Sequence, residues 1–340
     1  MKKGVKAHGI LVALRLLPYA VFVVVLVTFA SLSSRFLQVQ NFLNILVQAA
    51  PVAIAGIGMT FVLLTGGIDL SVGAVMYLSA CILGVFFKSV AWPVGLLLMM
   101  ACGSVWGALN AVFITRLRVV PFIVTLATLF IARGAALYLS NTKMIFLPKE
   151  VTGLNRLYWF GIPFAIWTLA VVLAVAWVIL RETPFGRQIY AVGADPVAAE
   201  KAGLKVGRIL FLVYCISGAC AGMGGFVSIT QVGAVSPSFA LEREFAVIAA
   251  AVLGGTSLFG GRGGVGGTIF GAILIQTVNN GLVIINANPY IYPLVTAAII
   301  FLAVLVDSLR ERILKRLQAR QIRVEEGGDA RLASAPARLP

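Results

Sequence analysis

The chain has 340 residues, 60% of them hydrophobic and only 11% charged, with a formal charge of +15 and a mean hydropathy of +1.01. Soluble domains carry about 25% charged residues, so this composition excludes a soluble globular protein. It points to an all-α polytopic membrane protein: one membrane domain with short tails.

Residues 1–15 hold Lys2, Lys3, Lys6 and Arg15 and precede an apolar run from Leu16 to Ala30. A basic start before an apolar core has the outline of a signal peptide, but Thr28-Phe-Ala-Ser lacks the small-x-small cleavage pattern. The run therefore reads as an uncleaved first span. A bilayer core of about 30 Å needs roughly 20 apolar residues. Further runs of that kind fall at 43–64, 72–90, 92–114, 119–140, 161–180, 209–230, 244–258, 265–285 and 290–306, for about ten transmembrane helices. The segment 244–258 is short and Gly-rich, which fits either a span or a re-entrant element.

The basic residues orient these spans. With the N-terminus inside, twenty of them fall in cytoplasmic segments, notably the first 15 residues, Arg181 to Arg208, and the tail from Arg310 to Arg338. Six fall outside (Arg35, Lys88, Lys143, Lys149, Arg156 and Arg243), and Arg133 lies within a span. Both termini are then cytoplasmic, and the asymmetry accounts for the high charge without a nucleic-acid partner. The division is a cytoplasmic tail at 1–15, a membrane domain at 16–306, a cytoplasmic loop at 181–208 and a cytoplasmic tail at 307–340. The composition of that last tail predicts a basic helix to about residue 323 and a disordered end.

Thr65-Gly-Gly-Ile-Asp-Leu-Ser-Val-Gly73 interrupts two apolar runs and holds the only acidic residue of the first 149 positions. An ionisable group at such a break is a functional-site candidate. Gly-Gly followed by Asp and Ser is also turn and capping chemistry, so Asp69 and Ser71 read either as a gate element or as the start of the next helix. Gly254-Gly-Thr-Ser-Leu258 echoes the same pattern later in the chain, on the same side by this span count. Polar residues within spans are candidates for a solute path: Asn110, Thr125, Thr128, Gln276, Thr277, Asn279 and Asn280. Interhelical hydrogen bonding is the competing role for each. Gln276, Asn279 and Asn280 share one helix face by their i, i+3, i+4 spacing. Arg133, about 21 Å along its helix, either snorkels to the interface or pairs with an acid. Glu242 and Glu244 fall outside on this span count.

In the loop, Pro184 begins a short helix. Asp195 is an N-cap followed by Pro196 at the first helical position, and Gly203 is the stop of a second helix. A capped helix projecting from between two spans suits docking to a partner; the alternative is a helix lying on the membrane surface. The chain lacks G-x-x-x-x-G-K-[ST], so it holds no phosphate loop of its own. Gly261-Arg-Gly-Gly-Val-Gly266 matches G-x-G-x-x-G, but between membrane runs it reads as close helix packing through small residues or a tight cytoplasmic turn rather than a dinucleotide site. His8 is the only histidine, and no nucleophile–base constellation can be assembled. The cysteines, Cys81, Cys102, Cys215 and Cys220, all in apolar runs, read as packing residues.

The loop, with its Gly193…Ala199…Gly203 spacing, resembles the coupling loop of bacterial ATP-binding-cassette importer permeases. Together with Gly66-Gly-Ile-Asp-Leu-Ser-Val-Gly73, Ser217-Gly-Ala-Cys-Ala-Gly-Met-Gly-Gly225 and Leu253-Gly-Gly-Thr-Ser-Leu-Phe-Gly260, it is similar to the ribose, xylose and arabinose type permeases, from about residue 44 to 306. The resemblance implies a type II importer-like fold in the bacterial inner membrane and a second permease copy, identical or closely related. It also implies a cytoplasmic ATPase carrying ATP and Mg, a periplasmic sugar-binding protein, and no cofactor on this chain. On it, Gly193, Asp195, Ala199 and Gly203 would meet the ATPase, and no residue would be catalytic. A permease for branched-chain amino acids or nucleosides shares this architecture. A secondary transporter would carry coupling carboxylates within its spans, and a membrane enzyme would need a catalytic constellation.

Overall fold

The computed structural model describes residues 2–313 except 88, 303, 307, 310 and 311, and for residues 2–15 and 17 only the backbone. Helix α1 (Lys2–Leu32) leads through a 3-10 turn to α2 (Val39–Leu64), α3 (Val72–Phe86), α4 (Trp92–Thr115) and α5 (Pro121–Ser140). A mixed loop follows, with strand β1 (Ile145–Phe146), α6 (Lys149–Thr152) and the hairpin β2 (Tyr158–Trp159) and β3 (Ile162–Pro163). Then come α7 (Phe164–Glu182), α8 (Pro184–Ala194), α9 (Pro196–Lys201), α10 (Val206–Val232), β4 (Ala234–Val235), α11 (Arg243–Leu253) and α12 (Val265–Ile284). Strand β4 pairs antiparallel with β1, Ile145 opposite Val235. A last apolar helix covers Pro289–Val306. Among the described residues, seven helices are long and apolar enough to cross a membrane, and Pro18–Leu32 and α3 are shorter apolar segments. The expected basic helix toward residue 323 and Lys88 lie outside the described residues.

Prolines set several starts: Pro93, Pro121 and Pro184 stand in the first turn of their helices, where a missing N–H leaves no hydrogen bond unmade. At the other end of α5, Asn141 takes the left-handed conformation (φ 48°) that closes the helix. The centre is α2, whose residues from Ala49 to Leu64 are all buried.

Small residues determine how closely the neighbours approach. A Cβ on Gly103 would overlap the Gly218 carbonyl, one on Gly107 the Tyr214 carbonyl, and one on Gly222 the Met99 carbonyl. Helices α4 and α10 are therefore antiparallel with their backbones in contact, through a Gly-xxx-Gly pair on each. Helix α10 also runs antiparallel to α2: Gly58 sits on Ser217 and Cys220, Gly224 on Pro51 and Ala55. All four cysteines are free, with Cys81 and Cys220 buried.

These directions define two ends of the bundle. One holds the turn 65–71, α8 and α9, and the turn 254–264. The other holds the 3-10 turn at Ser34–Leu37, the loop 141–163 and the β1–β4 pair. Helix α11 starts at neither. Arg133 lies 12 residues into α5, about 18 Å along its axis. Its guanidinium donates to the carbonyls of Phe239 (3.3 Å) and Ala240 (3.1 Å), shortly before α11. After β4 the chain thus dips back into the bundle before α11 begins.

At 11 residues α11 is about 16 Å long, roughly half a bilayer core. The segment 244–258 is therefore a half-helix plus a turn, and the alternative of a full span fails on length. An external position for Glu244 is also corrected. Its side chain is buried against Gly73, where a Cβ would overlap Glu244 Oε2 and stand 2.9 Å from the Ala240 carbonyl. The last glycine of the Thr65–Gly73 stretch leaves the space that α11 occupies.

Candidate functional site

Four of the residues expected in the path or gate meet in one buried cluster at the α2–α3 junction. Asp69 Oδ1 accepts from the Ser71 backbone N–H (3.0 Å) and the Ser71 hydroxyl (2.6 Å), and Asp69 Oδ2 accepts from the Ser217 hydroxyl of α10 (2.9 Å). Asn110 of α4 donates through Nδ2 to Ser71 Oγ at 3.0 Å. From α5, the Thr125 hydroxyl shares its proton between the carbonyls of Pro121 (2.9 Å) and Ile68 (3.1 Å). Asp69 is 2% exposed. It does satisfy the N–H of the residue preceding α3, as a cap would. Its second oxygen is spent on α10, so the carboxylate joins helices as well as starting one.

Beside this cluster two buried polar atoms, Asn110 Oδ1 and the Tyr214 hydroxyl, have no hydrogen-bond partner. Unpaired buried polar atoms are few in folded proteins. A Cβ on Gly67 would stand 2.6 Å from the Tyr214 hydroxyl, so that glycine makes room for the phenol. Sequence reasoning misses Ser217 and Tyr214; the available signal is Ser217, a hydroxyl that opens a glycine-rich motif within a span. Thr128 is buried and donates within its own helix to the Thr125 carbonyl (3.3 Å), as Thr277 does to Ile273 (2.7 Å). Neither joins the cluster.

The loop between α7 and α10 folds as its sequence predicts. Asp195 Oδ1 accepts from the N–H groups of Val197 (2.9 Å) and Ala198 (3.0 Å), and Gly203 closes α9 at φ 84°. Ala199 is buried, whereas Asp195, Val197 and Glu200 face outward. Gly193 does not face outward: a Cβ there would overlap the Leu64 carbonyl and stand 2.6 Å from the Gly261 backbone nitrogen. Gly261 N–H in turn donates to the Leu64 carbonyl at 2.9 Å. The end of α8, the end of α2 and the α11–α12 turn therefore meet at one point. Gly261-Arg-Gly-Gly-Val-Gly266 is the expected tight turn, with positive φ at Gly261 and Gly263. The two echoing segments lie at the same end, where Gly260, just after the second, packs on Gly66, so they are not an inverted pair.

The other three candidates stand apart from the Asp69 cluster. Gln276, Asn279 and Asn280 of α12 line a cavity of about 980 Å³ together with Gln48 of α2, the start of α11 and the last helix. Gln276 Nε2 donates to Gln48 Oε1 at 2.7 Å, and Asn280 Oδ1, buried, has no partner. Beyond this cavity the α2–α12 seam is closed: Thr60 and Thr268 hydroxyls are 2.6 Å apart, and Gly56 sits against Thr268.

Residues 41–304 match the family described as branched-chain amino acid transport system / permease component. The chain belongs to this permease family. Curated relatives of the permease match along most of their own length. It is 34% identical over 297 residues to a ribose import permease of Haemophilus influenzae, covering 85% of this chain and 92% of the relative. Against a ribose import permease of Bacillus subtilis the figures are 36% over 300 residues, 85% and 91%. Against a fructose import permease of Rhizobium meliloti they are 35% over 302 residues, 85% and 84%. No solved structure matches the permease. As a member of a transport family with several membrane-length helices, it is a multi-pass membrane protein.

Proposed function

We propose that this chain is the membrane-spanning subunit of an ATP-binding-cassette importer for a monosaccharide. It performs no covalent chemistry. A separate cytoplasmic ATPase binds ATP and Mg, a periplasmic binding protein delivers the sugar, and a second permease copy completes the membrane domain. The chain sits in the bacterial inner membrane with both termini cytoplasmic, an orientation that rests on the distribution of basic residues. The sugar reading is preferred to branched-chain amino acids or nucleosides because near-full-length relatives carry sugar import in their names.

The observation that carries the mechanism is the placement of Gly193. The loop 181–208 offers an exposed capped helix to a partner on one side. On the other it touches the ends of α2 and of the α11–α12 turn through backbone. On this reading Asp195, Ala199 and Gly203 shape the docking helix and Gly193 passes its movement inward. Asp69, Ser71, Asn110 and Thr125 form the hinge of the α2–α3 junction, and Gln276, Asn279 and Asn280 line the path.

Val197, exposed at 62%, is the side chain best placed to test docking without disturbing the fold. Ala199 is unsuitable, since a charge there would be buried. Val197→Asp should keep the permease in the membrane at parental abundance while ATP-driven uptake of D-ribose or D-fructose falls at least tenfold, on the scale of a lost interface anchor. Parental uptake by Val197→Asp and by Gly203→Pro would defeat the coupling assignment.

A further inference from the structure

Resting on that reading, we infer that a row of carboxamides on α2, Gln40, Asn44 and Gln48, forms the entrance half of the sugar route. It leads from the rim of the bundle to the larger cavity. The three residues recur at i, i+4 and i+8 and so share one helix face. Gln40 and Gln48 are about 12 Å apart along the axis. They line a second cavity of about 250 Å³ with Asn155, Tyr158 and Gln231. Gln48 borders both cavities, and there it accepts the hydrogen bond from Gln276.

A packing role accounts for the pairing of Gln48 with Gln276 but not for the rest of the row. Amides that glue helices together pair across an interface. Here Gln40 reaches only Asn44 on its own helix, at 3.4 Å. Asn44 and Gln48, exposed within the apolar run 43–64, are unfavourable toward hydrocarbon, where polar groups must be satisfied, and Gln40 continues their face to the rim. The row therefore fits a hydrophilic route. On α12, one turn from Gln276 toward the rim, Asn280 lines the larger cavity and carries a buried, unpartnered Oδ1.

The chemistry fits a polyhydroxylated solute. A primary amide presents an acceptor and two donors side by side, and a sugar hydroxyl needs one of each. A neutral amide is also easier to desolvate than a charge. Transit requires sites that bind enough to admit a ligand and weakly enough to release it.

The test uses the complete importer in proteoliposomes, with its ATPase and binding protein, and follows uptake of D-ribose, D-fructose, D-allose and D-galactose. Gln48→Leu and Asn44→Leu should each lower uptake of the transported sugar about tenfold, as a sugar hydroxyl is left unpaired. Abundance and basal ATP hydrolysis should stay parental. Gln48→Asn should restore part of the loss. Parental uptake in both leucine variants would overturn the route. Failure of the parental importer to move any of the sugars would overturn the functional reading instead.

Discussion

Replacing Asp69 by alanine removes three accepted hydrogen bonds at once, two from Ser71 and one from Ser217. Hydrogen bonds to a charged group contribute about 1.5–3 kcal/mol each. Releasing a buried carboxylate offsets part of that, so Asp69→Ala should destabilise by about 3 kcal/mol net. Asp69→Asn is milder: Oδ1 still accepts from Ser71, and the new amide donates to a Ser217 hydroxyl that reverses its role. About 1 kcal/mol is expected. The assay is thermal unfolding in detergent with a thiol-reactive fluorogenic dye, which reports the buried Cys81 and Cys220 as they emerge. At about 2–4 °C per kcal/mol, the alanine variant should melt roughly 6–12 °C lower. A parental midpoint for Asp69→Ala, or an asparagine variant as damaged as the alanine one, would refute the cluster's role as a joint between α3 and α10. If Asp69→Asn loses transport far beyond its small stability loss, the charge itself serves the gate.

The backbone contacts give sharper tests. Gly218→Val should block α4 from α10 and destabilise by more than about 2 kcal/mol, lowering membrane abundance and the same melting midpoint. Gly193→Val should lift α8 off Leu64 and Gly261. ATP hydrolysis by the assembled complex should persist while sugar uptake falls at least tenfold, read by measuring both rates on one preparation. Arg133→Leu should free the segment before α11 and leave Glu244 without the charge it interacts with. Adding Glu244→Gln should recover part of the melting loss, with a coupling of about 0.5–3 kcal/mol in a double-mutant cycle.

Most helix positions, though not the number of spans, and the capped loop were legible in the sequence because hydropathy and capping are local. Asp195, Pro196 and Gly203 state their roles within one short stretch. The convergence of Asp69, Ser71, Asn110 and Thr125 was legible only as a set of polar residues in apolar runs. Which ones meet depends on the approach of α4 and α10, and glycine spacing alone does not give the partner helix. The half-helix α11 was legible only as one of two alternatives for a related reason: its apolar run continues into a glycine turn, and only Arg133, far earlier in the chain, marks where it begins. Gln48 carries the same chemistry as Gln276, yet its significance lies in the second cavity it borders, which no spacing announces.

The meeting point of Gly193, Leu64 and Gly261 has a mechanical consequence. Most contacts between helices run through side chains, whose rotamers act as springs and absorb small displacements. Here main chain rests on main chain, with a hydrogen bond of 2.9 Å and no room for even a methyl group. Such a joint has almost no slack. A small shift of α8 must reappear at the end of α2 or in the turn after α11, the element already cut to half length. The fold thus places its stiffest linkage next to its most interrupted helix.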